Sequence, residues 1–186
     1  MLDVEFSILD FIQNQFRTPF GDFVMPLISK LGNGGIIWLV LSGLLCVFPK
    51  YRKAGVTMLT ALALDVLLCN VMLKPLVGRM RPFTVNTGME LLINAPKDFS
   101  FPSGHSMNGF TAAVTILFYN RRWGIAAVVL AALIAFSRLY HFVHFPTDVF
   151  AGIVIGTMVA CVTNVLFVWI NKRKLNQHEK KNCRIR

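Results

Sequence analysis

Arg138, His144 and Asp148 follow one another with five and then three intervening residues, where one long apolar run ends and the next begins. Lys74 with Arg81-Pro82, and Pro102-Ser103-Gly104-His105, also stand at the ends of apolar runs. Charges in such places in a membrane chain seldom lack a role. An imidazole four residues ahead of a carboxylate lies one helical turn from it, so Asp148 can accept a hydrogen bond from one nitrogen of His144. That contact fixes the tautomer and leaves the other nitrogen as a lone pair for attack. Ser103 can cap the helix that begins after it, and the backbone N–H groups of Gly104 and His105 then point outward as an anion site. Taken singly, these features also read as a plain helix cap, as snorkelling interface cations and as a carboxylate favoured by the helix dipole. Lys74, Arg81 and Arg138 together with a helix N-terminus are different. They match the charge and the several oxygens of a phosphate better than those of a single carboxylate.

The elements that must position these residues are membrane helices. The 186 residues are 55% hydrophobic and 15% charged with mean hydropathy +0.58, too oily for an ordinary water-soluble domain. We read residues 1–186 as one integral membrane domain, an all-α polytopic bundle. Four stretches approach the roughly 20 residues needed to cross a bilayer, namely 54–73, 106–119, 123–136 and 149–170. A fifth, 34–48, is short unless the segment 23–31 around Pro26 extends it as a kinked helix. Residues 2–16 carry Val4, Ile8, Phe11 and Ile12 against Glu5, Asp10 and Gln13, a helical period on a segment too short to cross, so this helix is expected in the interface. The acidic start, Asp3 and Glu5, argues against a cleaved signal peptide.

Net charge +10 does not point to nucleic acid, because the charges sit at alternate ends of successive spans. Lys50, Arg52 and Lys53 follow the first span, Arg121 and Arg122 the third, and a basic tail, 171–186, the fifth. The positive-inside rule places these groups in the cytoplasm and the three motif clusters together on the opposite, extracytoplasmic face of the cell membrane. The long connection 75–102 is on that same face and can form a cap over a site. Cys46, Cys69 and Cys161 fall inside spans and Cys183 in the tail, so no disulfide framework is expected, and no spacing suggests a metal.

With these residues the chain resembles the type 2 phosphatidic acid phosphatase superfamily, which includes the vanadium haloperoxidases. The signature is complete: Lys74, six residues, Arg81-Pro82; Pro102-Ser103-Gly104-His105; then Ser137-Arg138, five residues, His144, three residues, Asp148. The resemblance implies that His144 is a nucleophile forming a phosphohistidine, that Asp148 orients it, and that His105 protonates the leaving group and then activates water. Lys74, Arg81, Ser103, Gly104 and Arg138 would hold the phosphoryl oxygens. No cofactor or metal is implied, so activity should survive EDTA, and vanadate should inhibit.

The implied substrate is a membrane lipid phosphate or diphosphate. The short chain with five spans is similar to small bacterial members acting on undecaprenyl diphosphate in cell wall biosynthesis; phosphatidylglycerophosphate and phosphatidic acid are the alternatives, and a non-enzymatic lipid-phosphate carrier is a distant third. Binding alone would require no nucleophile, acid and orienting carboxylate, and a halide-oxidising enzyme has no need of five spans.

Residues outside the signature carry further expectations. Asp65, mid-span and about 13 Å along the helix from Lys74, is read as a structural carboxylate bonded to another helix. Arg79 could meet a headgroup or a second phosphate. His141 is given no catalytic role, and Gly152 with Gly156 should serve close helix packing within the chain.

Overall fold

A computed structural model of the chain describes residues 2–183, with side chains described as far as Arg173. Lys174, Lys180, Lys181, Cys183, Arg184 and Arg186 of the expected basic tail lie outside those described side chains. Among the described residues every regular element is helical: α1 Leu2–Phe16, α2 Pro19–Leu31, α3 Ile36–Val47, α4 Arg52–Val66, α5 Lys74–Val77, α6 Pro82–Val85, α7 Gly104–Tyr119, α8 Arg121–Tyr140 and α9 Pro146–Cys183.

Three of the helical stretches, Arg52–Val85, Arg121–Tyr140 and Pro146–Arg173, are long and apolar enough to cross a membrane, and α2 with α3 form a fourth that is bent by 41°. The expected kink at Pro26 is not where this span breaks. Pro26 lies inside α2, and the chain turns instead at Asn33–Gly35, where Gly34 and Gly35 have φ of 58° and 67°. Left-handed backbone at two successive residues is costly for any residue but glycine, so this sequence localises the bend.

The expected span 106–119, the third in chain order, is α7, which has 16 residues, or about 24 Å. It falls short of the bilayer core by itself and is enclosed by α4, α8 and α9. Small residues bring α9 against it: a Cβ on Gly156 would lie 2.3 Å from the Met107 carbonyl oxygen, and one on Gly152 2.7 Å from that of Ser103. This close crossing fixes the N-terminus of α7 against the start of α9, where Ser103 and Asp148 stand side by side. Trp38, Met58, Leu62, Ala112, Ala131 and Ile134 form the buried core around α7, while Phe20, Leu76, Trp123 and Phe150 are among the large apolar side chains left outside, as a lipid-facing surface requires.

Asp65 is buried and accepts a hydrogen bond from Thr111 on α7 at 2.8 Å, with the Gly156 carbonyl 3.1 Å from the same hydroxyl. The carboxylate therefore ties α4 to the central helix, in line with its structural reading.

Two irregularities place the site residues. Between α4 and α5 the residues Leu67–Leu73 form a π-helical segment, and the Lys74 N–H bonds to the Cys69 carbonyl. The wider turn rotates Lys74 relative to a continuous α-helix. Residues 86–103 follow α6 without regular structure and return to the N-terminus of α7.

Candidate active site

Lys74, Arg81, Gly104, His105, Arg138 and His144 line one cavity of 620 Å³, together with Ser29, Lys30 and Asn33 at the α2–α3 break and Leu91, Leu92, Ile93, Asn94, Pro96 and Asp98 from the irregular segment. Ser103 and Asp148 stand behind this wall. The Ser103 hydroxyl caps α7, accepting from the Ser106 hydroxyl at 3.0 Å and facing its N–H at 3.5 Å; the Ser103 N–H donates to the Asp148 carbonyl at 3.0 Å.

Local sequence explains each placement. Lys74 ends the π-helical turn, Arg81 is the extended residue before Pro82, as a residue preceding proline must be, and Arg138 occupies the last turn of α8. His144 lies in the short link between α8 and α9, in which Phe142 takes φ of 57°, and Pro146 opens α9. The link turns the imidazole toward the cavity.

His144 is 2% exposed, and burial is the main reason its pKa falls to about 3. The ring is therefore neutral at neutral pH, as a nucleophile must be. Its Nδ1 faces Asp148 Oδ2 at 3.7 Å, beyond hydrogen-bond length, and the Ser100 hydroxyl at 3.5 Å. That hydroxyl donates to Asp148 Oδ2 at 2.5 Å, and the Phe145 N–H donates to the same oxygen at 2.9 Å. The other ring nitrogen, Nε2, lies 3.2 Å from Arg81 Nη1.

Arg81 also donates through Nη1 to the Val143 carbonyl at 2.7 Å, and through Nε to the Asp98 carbonyl at 2.8 Å. Its Nη2 donates to Asp98 Oδ1 at 2.8 Å, while Lys74 Nζ donates to Asp98 Oδ2. Burial pushes the Asp98 carboxyl up, but the hydrogen bond and charge of Lys74 and those of Arg81 outweigh it and hold the pKa at about 2. Arg138 donates to the Ser29 hydroxyl, and its buried Nε has no protein partner. With Asn33 Oδ1 as the acceptor, His105 Nε2 carries the proton and donates at 2.9 Å.

Arg79 is placed elsewhere than expected. It does not line the cavity but turns to the far side of Asp148, donating to Oδ1 at 2.5 Å, to the Thr147 hydroxyl at 2.7 Å and to Glu5. Its guanidinium stacks over Phe145 at 4.1 Å. Glu5, expected on the polar face of α1, is buried and also accepts from the Thr147 N–H at 3.3 Å. The helix is turned so that Glu5, Leu9 and Ile12 face inward and Val4, Ile8 and Phe11 outward. His141 is buried beside Tyr140 and, like Asp65, does not line the cavity.

Sequence reasoning missed Asp98, Ser100, Asn33, Ser29 and Glu5. For two of them a signal existed. Glu5 shares the i, i+4, i+7 side of α1 with Leu9 and Ile12, and Ser100 lies only two residues before Pro102.

A cavity lined by four cations, two imidazoles and a helix N-terminus can hold a tetrahedral anion against a neutral nitrogen nucleophile. A family model described as the PAP2 superfamily matches residues 54–173. The chain is 34% identical over 148 residues to an undecaprenyl-diphosphatase from Sulfolobus acidocaldarius, covering 79% of this chain and 70% of that one. Its fold is similar to the PAP2 type phosphatidylglycerolphosphate phosphatase from Bacillus subtilis, with TM-score 0.74, 28% identity and coverage of 89% and 85%. It is similar also to LpxE of Aquifex aeolicus, with TM-score 0.75, 28% identity and coverage of 85% and 93%.

Proposed function

The chain belongs to the PAP2 superfamily and is a membrane phosphatase of that family, and from this premise we propose that it hydrolyses undecaprenyl diphosphate through a phosphohistidine on His144. The observation that carries the reading is the meeting of His144, His105, Lys74, Arg81 and Arg138 in one cavity. In the first displacement the lone pair of His144 Nε2 attacks phosphorus and the bond from phosphorus to the leaving oxygen breaks. His105 supplies a proton to that oxygen, Asp148 balances the positive imidazole, and Lys74, Arg81, Arg138 and the N–H groups at Gly104 hold the equatorial oxygens, with Ser103 acting through the helix cap. In the second displacement water attacks phosphorus, His105 takes its proton, and the nitrogen–phosphorus bond breaks to release phosphate. Side-chain cations stabilise the developing charge here, so no step is assigned to a metal.

The alternate basic ends of the helices support an extracytoplasmic mouth in the cell membrane, where a lipid can present its phosphate while its tail stays in the bilayer. Two features of the cavity favour a prenyl diphosphate. Lys30 at its rim is exposed and makes no ion pair among the described residues, so a second phosphate would meet a cation. Leu91, Leu92 and Ile93, which also line the cavity, give the first isoprene units an apolar surface. The likeness to the Bacillus subtilis phosphatidylglycerolphosphate phosphatase supports phosphatidylglycerophosphate as the second reading.

The test is phosphate release in detergent from undecaprenyl diphosphate, phosphatidic acid and phosphatidylglycerophosphate, with wild type and His144→Ala. We expect the highest kcat/KM for the prenyl diphosphate and a loss of at least about a thousandfold in the variant. Wild-type turnover by the variant would refute the mechanism; a higher kcat/KM for either glycerolipid would refute the substrate.

A further inference from the structure

Lys74 and Arg81, the two cations at the foot of the cavity, are both engaged by one carboxylate from their own chain. Asp98 Oδ2 accepts from Lys74 Nζ, and Oδ1 accepts from Arg81 Nη2 at 2.8 Å. The remaining four Arg81 donors meet the Asp98 carbonyl at 2.8 Å, the Val143 carbonyl at 2.7 Å, His144 Nε2 at 3.2 Å and the Phe99 carbonyl at 3.4 Å. In this arrangement Arg81 has no donor left for a phosphoryl oxygen. The two cations belong to the wall, with side chains 9% and 4% exposed, whereas the Asp98 side chain is 51% exposed. It lines the cavity from the irregular segment 86–103. Two carboxylate oxygens bridging an ammonium and a guanidinium occupy the donors that two phosphoryl oxygens would use.

We infer that Asp98 is a specificity-determining residue: a tethered carboxylate that holds the phosphoryl subsite against singly charged phosphodiester headgroups and yields to a doubly charged terminal phosphate. The inference rests on the lipid phosphatase reading above and deepens it.

The argument is one of charge and concentration. A site at headgroup depth faces an excess of phosphodiester lipids, and three unscreened cations would be saturated by them. A carboxylate tethered beside its partners competes at an effective concentration in the millimolar range or above. A phosphodiester brings a single negative charge, so exchanging it for Asp98 gains nothing in charge while the segment carrying Asp98 must be displaced. A terminal phosphate brings about two charges and three oxygens, and engages Lys74, Arg81 and the unpartnered Nε of Arg138 together. The low pKa of Asp98, about 2, keeps the competitor ionised at any working pH.

The test compares the full chain in detergent as wild type and Asp98→Asn by two measurements. Calorimetric binding of orthophosphate at pH 8, where the ion is largely doubly charged, should be about tenfold or more tighter in the variant. Weaker or unchanged binding would overturn the inference, weaker binding meaning that Asp98 merely orders Arg81. Hydrolysis of phosphatidic acid in mixed micelles should then show a wild-type KM indifferent to added phosphatidylglycerol, whereas in Asp98→Asn the same lipid becomes a competitive inhibitor. A wild-type enzyme competitively inhibited by phosphatidylglycerol overturns the inference without any variant, which also covers a variant that does not fold. Absence of phosphate release from every lipid phosphate would instead refute the phosphatase reading, and the orthophosphate titration would still decide the role of Asp98.

Discussion

Replacing Arg79 by methionine should destabilise the protein and slow the reaction without weakening substrate binding. The guanidinium is the only cation within bonding reach of two buried carboxylates, Asp148 and Glu5, among the described residues. Asp148 Oδ2 would keep Ser100 and the Phe145 N–H, but Oδ1 would lose its partner at 2.5 Å, and Glu5 would retain only Thr147. Removing one side of a buried ion pair costs about 3–5 kcal/mol. In a chain of this size that corresponds to a fall in Tm of roughly 6–20 °C, measured by tryptophan fluorescence in detergent. Glu5→Gln should recover part of the loss in the Arg79→Met background while being destabilising in wild type, a coupling of at least about 1 kcal/mol. Phosphate release should show kcat reduced, because the Asp148 carboxylate that faces His144 loses the partner fixing its Oδ1, and KM for a diphosphate within about twofold of wild type, because Arg79 does not touch the cavity. Additivity of the two substitutions within about 0.5 kcal/mol would refute the buried triad. A rise in KM confined to diphosphate substrates would show instead that Arg79 binds the second phosphate.

Asn33→Ala removes the acceptor that holds His105 Nε2 at 2.9 Å. We expect kcat to fall about 10- to 100-fold, less than the full worth of a general acid, with KM nearly constant; an unchanged kcat would free Asn33 of any positioning role. The pH dependence of stability follows from His144, whose folded pKa of about 3 lies below the unfolded value of about 6.5. A depressed pKa means that this stability is fully present above the unfolded value and is lost progressively as pH falls toward the folded one. At pH 5 the loss is about 2 kcal/mol, so the Tm advantage of wild type over His144→Gln should shrink by about 4–8 °C between pH 7.5 and pH 5. A constant difference across that range would contradict the buried neutral imidazole.

The groups that face the cavity could be read from sequence because they sit at helix ends with fixed spacing. Lys74, Arg81 and His105 belong to one connection between spans and Arg138 and His144 to another, yet the alternation of spans already put them on one face, and the structure gathers them in one cavity. The break in the first span was harder to place. A proline in an apolar run signals a kink, but Pro26 is absorbed within α2 and the bend falls where two glycines adopt left-handed backbone. The length of α7 was visible, but not that a helix of 16 residues would be enclosed by its neighbours, since enclosure depends on Gly152 and Gly156 of another helix.

The counter-charges were hidden for a different reason. Asp98 lies in a segment with no period, so nothing in its neighbourhood announces that it reaches back to Lys74 and Arg81. Arg79 and Arg81 are two residues apart and look interchangeable as phosphate ligands, but the link 143–148 passes between them. Arg81 grips its cavity side, through the Val143 carbonyl and His144, and Arg79 grips its outer side, through Thr147 and Asp148. One guanidinium therefore faces the reacting centre while the other fixes the carboxylate behind it, and the buried Glu5 of α1 completes the outer grip. An N-terminal helix whose outward face is apolar is thus joined to the nucleophile's carboxylate partner through Arg79, and to the link that carries the nucleophile through Phe6, which packs against Phe142 and Phe145. Loss of the α1 contact should then appear first in kcat, before any change in the affinity of the cavity for phosphate.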